Sequence, residues 1–221
     1  MKKGCILCLL ISVISLPLIA QNIIYSNLKE LLAQHGDTTA VLRVEKRSRN
    51  QIVLTGGADY RITAGDDESM CRRLKKRCFA VRDEKGDLYL NCRKLRYKKL
   101  RFGAWYAPAV QLGKNIYFCA MPLGSVIGGN FVEEDDVKLG GNIGDALAAS
   151  SLVTKRVCYE LNGETGKVDF LGKDKMLQLL KNYPELKQAY LKDDSQEAKH
   201  TFKYLLAVSY THLRAHETRS N

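Results

Sequence analysis

Leu28, Leu31 and Leu32 in "YSNLKELLAQHGD" fall on one helical face, with Ser26 or Asn27 as cap and Gly36 as stop. That spacing predicts a short amphipathic helix laid over a sheet. From Thr38 the period shortens. "TAVLRVEKR", "QIVLT" and "YRITA" are β-branched or aromatic runs separated by "SRN" and "GGAD", so they read as strands joined by turns. "DDESMCRRLKK" reads as a helix capped by Asp66 or Asp67, after which "CFAVR", "DLYLNC", "LRYKKLRF", "AVQL" and "IYFCA" resume the strand pattern. In "LRYKKLRF" the apolar positions Leu95 and Tyr97 give way to Leu100 and Phe102. This change of parity predicts a β-bulge at Lys98 and Lys99.

The second half is patterned differently. Residues 122–142 form a Gly-rich stretch with an acidic cluster, Glu133 to Asp136, read as a loop. "GDALAASSLV" follows as a helix, "KRVCYELNGETGKVDFLG" as a hairpin turning at Asn162 to Gly166, and "KDKMLQLLKNYPELKQAYLKDD" as a helix pair broken before Pro184. A last helix runs from Ser195 to Leu206. The pattern predicts an α+β fold: an antiparallel, mostly sequential sheet with covering helices (residues 21–121) and a helix–hairpin–helix part (143–207), one domain overall.

The two ends stand apart. "MKKGCILCLLISVISLPLIAQ" has a positive start, an apolar core and a small residue at Ala20, the plan of a secretory signal peptide over residues 1–20. Its apolar run is too short and too interrupted for a membrane span of about 20 residues, so no transmembrane segment is expected in the mature chain. "VSYTHLRAHET" resembles one reading frame of a transposase-end adapter used in sequencing libraries. That resemblance implies a non-native tail over 208–221, without packing against the domain and without a metal site at His212 and His216. Removing both ends lowers the formal charge from +11 to +8. For an exported chain the counter-charge is anionic lipid, lipopolysaccharide or acidic glycan, and not nucleic acid.

Export also bears on the cysteines, because an oxidising compartment favours disulfides. Pairing "CFAVR" with "LYLNC" through the turn Asp83 to Asp87 sets Arg82 opposite Leu88, Ala80 opposite Leu90 and Cys78 opposite Cys92. Directly opposed residues are about 4.5–5.5 Å apart at Cα, within disulfide reach, so a Cys78–Cys92 bridge is expected. Around it crowd Arg72, Arg73, Lys75, Lys76, Arg93, Lys94, Arg96, Lys98 and Lys99. They are the anion-binding candidates if they emerge on one side, and a solubility feature if they scatter.

No catalytic constellation stands out. "SNLK" has serine–lysine spacing without the companion motifs of the penicillin-recognising enzymes, and "GETGK" imitates a phosphate loop but joins two strands. "GGNIGDA" opens a helix whose amides could hold an anion, although close packing at Gly140 and Gly144 is the simpler account. No metal site, catalytic residue or cofactor is expected.

"KRSRNQIVLTGGADYRI", "RCFAV", "LYLNCRKLRYKKLRFGAWYAPA" and "LGGNIGDALAASSLV" resemble an uncharacterised family of exported proteins from gut Bacteroidetes. The resemblance implies export and brings no activity, ligand or cofactor. The expectation is therefore an exported, non-catalytic protein of a Gram-negative periplasm or envelope, with a binding or structural role. The alternative is a periplasmic or secreted hydrolase whose site the sequence does not display.

Overall fold

Alternate residues of the central strands face opposite ways, and both sides of the sheet are covered. In the computed structural model the described residues are 21–39, 41–48, 50–52, 57–98, 100–120, 157–193 and 198–217. They form an antiparallel sheet with helices, an α+β fold. The strands are β1 (Asn22–Tyr25), β2 (Asp37–Thr39), β3 (Arg43–Lys46), β4 (Tyr60–Thr63), β5 (Ala80–Arg82), β6 (Leu88–Asn91), β7 (Arg96–Tyr97), β8 (Leu100–Arg101), β9 (Tyr106–Leu112), β10 (Asn115–Ala120), β11 (Val157–Leu161) and β12 (Val168–Phe170). The helices are α1 (Leu28–Leu32), α2 (Glu68–Lys76), α3 (Lys173–Leu179), α4 (Pro184–Lys192) and α5 (Ala198–Glu217).

The main sheet runs β12-β11-β10-β9-β6-β5-β1-β2, and β4 pairs with both β3 and β9. The order departs from the chain order at β1, which inserts between β5 and β2, and at β9, which pairs with β6 and β4. Along β9, Tyr106 faces Tyr60 of β4 while Ala109 to Leu112 face β10. Pro108 stands between these two pairings, where its missing N–H interrupts the ladder least.

One face carries Tyr25, Ala80, Leu88, Leu90, Ala107, Ala109, Ile116, Phe118, Tyr159 and Leu161. It is covered by Leu31 of α1 and by Leu95, Tyr97 and Phe102 around the β7–β8 hairpin. Phe102 meets Phe118 and Tyr159 edge-on, with ring centroids at 5.4 and 4.8 Å. The opposite face has two patches. Ile24, Val81, Tyr89 and Tyr106 pack with Leu74 of α2 and Ile62 of β4. Tyr117, Cys119 and Cys158 pack with Met176, Leu180, Tyr204, Leu205 and Val208 of the C-terminal helices.

Local signals account for the helix starts. Asn27 accepts from the Glu30 amide at 2.9 Å and the Glu30 carboxylate takes the Ser26 amide at 2.7 Å, a reciprocal cap. Asp67 caps α2 through the Met70 amide at 2.8 Å. Pro184 opens α4 from its first turn, where a missing donor costs nothing.

Four expectations are corrected. The run from Thr38 splits into β2 and β3, and of "QIVLT" residues 51–52 are helical and the rest lie outside the described residues. The parity change after Tyr97 is a hairpin, with Tyr97 opposite Leu100 and Lys98 at φ 51°, so a tight turn replaces the predicted bulge. The last helix does not stop at Leu206: α5 runs to Glu217 and Val208 is buried at 2% exposure. Val208 lies three and four residues after Leu205 and Tyr204, on the same helix face, which is why the tail packs where none was expected.

The fourth concerns the disulfide. The register expected for β5 and β6 holds, with Arg82 opposite Leu88 and Ala80 opposite Leu90. The pairing runs one residue past Ala80, where the Asn91 amide donates to the Phe79 carbonyl, and then the chains part, so the Cys78–Cys92 bridge is not made. The Cys78 amide closes the end of α2 on the Arg73 carbonyl, and its thiol donates to the Ala80 carbonyl at 3.1 Å. Cys92 begins a 3-10 turn over Cys92–Lys94 and donates its amide to the Trp105 carbonyl. The bridge instead joins Cys119 and Cys158, directly opposed on β10 and β11 with Cα atoms 4.2 Å apart. The expected loop at 122–142, its acidic cluster and the helix in "GDALAASSLV" lie outside the described residues.

Candidate functional site: the Trp105 corner

The C-terminal end of α2 is where the most specific polar geometry gathers. A helix ends with carbonyls that lack amide partners, and here two side chains from the sheet supply them. Asn91, buried at the end of β6, donates to the carbonyls of Leu74 at 3.1 Å and Cys78 at 2.9 Å. Its own Oδ1 accepts the Arg93 amide at 3.1 Å, starting the 3-10 turn. The Tyr106 hydroxyl donates to the same Leu74 carbonyl at 2.8 Å. Burial, and then the neighbouring Cys78, hold that hydroxyl far above the usual phenol range. Burial likewise pushes the Cys78 thiol up to about 11, so it is a neutral, unreactive thiol at physiological pH.

Next to this cap stands Trp105, half-buried, with φ 77°. Bulky residues rarely adopt the left-handed region, and neighbours hold this one in place. The Ala58 amide donates to the Ala104 carbonyl at 3.0 Å. Gly57, at φ 83°, lets that carbonyl approach where a Cβ would collide with it. The Arg47 side chain, 7% exposed as a residue, donates to the carbonyls of Ala58 at 2.6 Å and Gln51 at 3.0 Å. Its guanidinium lies 5.0 Å from the indole centroid, and that of Arg61, from β4, at 5.7 Å. Here the sequence "GGADYRI" finds its explanation: the glycine turn and Arg61 frame a tryptophan that is distant in sequence.

Trp105, Ala104 and Tyr106 line a small cleft with Ile62, Lys75, Asn91 and Arg93, with room of about 30 Å³. Lys75 and Arg93 are exposed, and among the described residues neither has an ion-pair partner. Lys94 follows on the same turn, close enough to act on the Cys78 thiol. Cations at a helix C-terminus complement its dipole, so the positions suit the fold as well as a ligand.

The remaining basic candidates are not all here. Arg72 pairs with Glu68 at 3.8 Å, and Arg73 pairs with Asp37. Lys76 is exposed on α2. Arg96 and Lys98 sit on the β7–β8 hairpin, whose core is on the opposite face of the sheet from that of α2, and Lys98 lies 5.8 Å from the Tyr97 ring. Lys99 is outside the described residues. The eight described candidates thus divide between two faces, and of them only Lys75 and Arg93 line the Trp105 cleft. Sequence reading missed Arg47 and Arg61, because nothing local pairs them with residue 105.

A second polar cluster lies on β11 and β12. Lys175 of α3 reaches Asp169 at 2.5 Å and Glu160 at 3.4 Å, while Glu160 also accepts from Asn115 at 2.6 Å and Tyr117 at 3.2 Å. The Lys175 hydrogen bond lowers the Asp169 carboxyl below its ordinary value. Every member has a structural partner, and the cluster reads as an ion-pair network. "GETGK" is turn chemistry: Asn162 Oδ1 accepts the amides of Glu164 at 3.0 Å and Thr165 at 2.8 Å. Among the described residues no group of three His, Cys, Asp or Glu is placed to hold a metal ion, and no helix is long and apolar enough to cross a membrane.

Residues 23–212 match a family of unknown function, DUF6563. The chain belongs to that family. The match runs from the second residue of β1 through β12, takes in all of the Trp105 corner, and ends inside α5, four residues beyond Val208. No curated protein and no solved structure matches the chain.

Proposed function

We propose that this is an exported, non-catalytic binding protein of the cell envelope, which holds anionic envelope material at the corner between α2 and the turn after β6. The observation that carries the reading is the cleft at Trp105, where Lys75 and Arg93 from separate elements converge beside a positioned indole. Convergence at the cleft distinguishes this pair: Arg72 and Arg73 are ion-paired, Arg96 and Lys98 lie on the other face, and Lys76 and Lys94, though exposed near it, do not line the cleft. The signal-peptide plan of residues 1–20 supports the compartment, where lipid phosphates, lipopolysaccharide and acidic glycans are the abundant anions. A cationic recess attracts such groups over about 8 Å at physiological ionic strength.

The test is co-sedimentation of the mature chain with vesicles carrying lipopolysaccharide, compared with phosphatidylcholine vesicles, over a salt series. Retention on the first alone, weakening steadily as salt rises, is the expected result. Equal retention on both surfaces, or none on either at low salt, overturns the proposal.

A further inference from the structure

Resting on the envelope-binding reading above, we infer that the Trp105 cleft is a subsite for an acidic sugar: one carboxylated ring lies against the indole while its carboxylate enters between Lys75 and Arg93. Size, placement and recess each narrow the ligand. Room of about 30 Å³ takes the few heavy atoms of a carboxylate and not a ring, so the body of the ligand stays outside it, against the half-exposed Trp105 that lines it. A free oxyanion would need the two cations but no aromatic surface. The indole offers the apolar C–H face of a pyranose a flat partner, and pockets of this kind combine one such surface with a few placed polar groups.

The indole is also held for the purpose. Its backbone is at φ 77°, its neighbour Ala104 is fixed by the Ala58 amide, and the buried Arg47 guanidinium lies 5.0 Å from its centroid. Arg61, at 5.7 Å, is exposed on β4, so its guanidinium can give up the ring to a sugar and pair with the acid group instead. A bilayer is a poorer fit. Trp105 is half-buried among Lys75, Arg93 and Arg61, and an indole in a recess between cations cannot insert among acyl chains.

The chain contains one tryptophan, so its emission reports on this cleft without interference. The experiment titrates the mature chain with oligogalacturonate, a neutral oligosaccharide of equal length, acetate and phosphatidylglycerol vesicles, reading Trp105 fluorescence at low salt. The expected result is a saturable change with oligogalacturonate alone, with affinity about a hundredfold weaker in Lys75→Ser/Arg93→Ser, as loss of two charged hydrogen bonds implies. Equal affinity in that variant, or an equal response to the neutral sugar, overturns the subsite. A response to the vesicles alone assigns the cleft to a lipid headgroup and also overturns it. If lipopolysaccharide vesicles retain the chain while oligogalacturonate leaves the emission unchanged, the sugar inference falls and the envelope-binding reading stands. Failure of both assays removes both.

Discussion

The Leu74 carbonyl has two side-chain donors, and this redundancy predicts a measurable non-additivity. In Asn91→Ala, the Cys78 carbonyl loses its side-chain donor in a buried setting while Leu74 keeps Tyr106. One orphaned buried acceptor costs about 1–3 kcal/mol, so the variant should lose about 2 kcal/mol, the Arg93 amide being reachable by water. In Tyr106→Phe the ring stays buried and Leu74 keeps Asn91, so the loss is that of one net hydrogen bond, about 1 kcal/mol. Only the double variant leaves the Leu74 carbonyl with neither donor. The double should therefore be worse than the sum of the singles by about 1–3 kcal/mol. Urea unfolding of the four proteins, followed by circular dichroism, gives the coupling term directly. Additivity within about 0.5 kcal/mol would show that the two side chains do not share the carbonyl, and would refute the capping scheme that positions Arg93 beside Trp105.

Two further predictions concern the β10–β12 end of the sheet. Thiol labelling should find Cys119 and Cys158 only after reduction, and replacing both by Ala should cost about 4 kcal/mol on the chain-entropy estimate for a separation of 39 residues; labelling of both without reductant would contradict the bridge. The Asp169 carboxyl, lowered by Lys175, contributes stability that is present above its ordinary value of 3.8 and is lost as pH falls through the lowered value. The stability gap between the protein and Lys175→Met should therefore narrow when thermal unfolding at pH 7 is repeated near pH 3. A constant gap would mean that the pair carries no titratable coupling.

The sequence made the strands legible where short apolar, β-branched or aromatic runs were bounded by turn residues, as in β9 to β12, and the β5–β6 register where the turn at Asp83 to Asp87 set it. It failed where the deciding contact was distant. β1 was hidden because "NIIY" has too few residues to show a period, and its place between β5 and β2 depends on strands far along the chain. The Cys78–Cys92 pairing extended a correct register one residue too far, past the Phe79–Asn91 hydrogen bond to the point where the end of α2 and a 3-10 turn take over. Cys119 and Cys158 carried no local sign of being opposed, because 38 residues separate them. α5 overran its expected end because Ala207, Leu213, Arg214, Ala215 and Glu217 favour helix and Val208 continues its buried face.

The candidate site was half visible. Lys75 and Arg93 were among nine basic residues that nothing in the sequence could rank, because ranking them requires knowing which face of the sheet each element covers. Trp105 lies in the sequence only as an aromatic shortly after the basic run ending at Arg101. Its setting comes from Gly57, Ala58, Arg47 and Arg61, which lie 44 to 58 positions earlier in the chain. The left-handed backbone at Trp105 costs about 1–2 kcal/mol in a residue with a side chain, and strain of that kind tends to gather at functional sites.

The central claim is that charge at one corner, and not charge in general, does the binding. Two variants that remove the same formal charge separate these possibilities: Lys75→Ser/Arg93→Ser at the Trp105 cleft, and Arg96→Ser/Lys98→Ser on the opposite face. Retention on lipopolysaccharide vesicles at low salt is the measurement. The first variant should lose most of its retention while the second keeps it. Equal loss in the two, or loss confined to the second, would contradict the assignment of binding to the Trp105 corner.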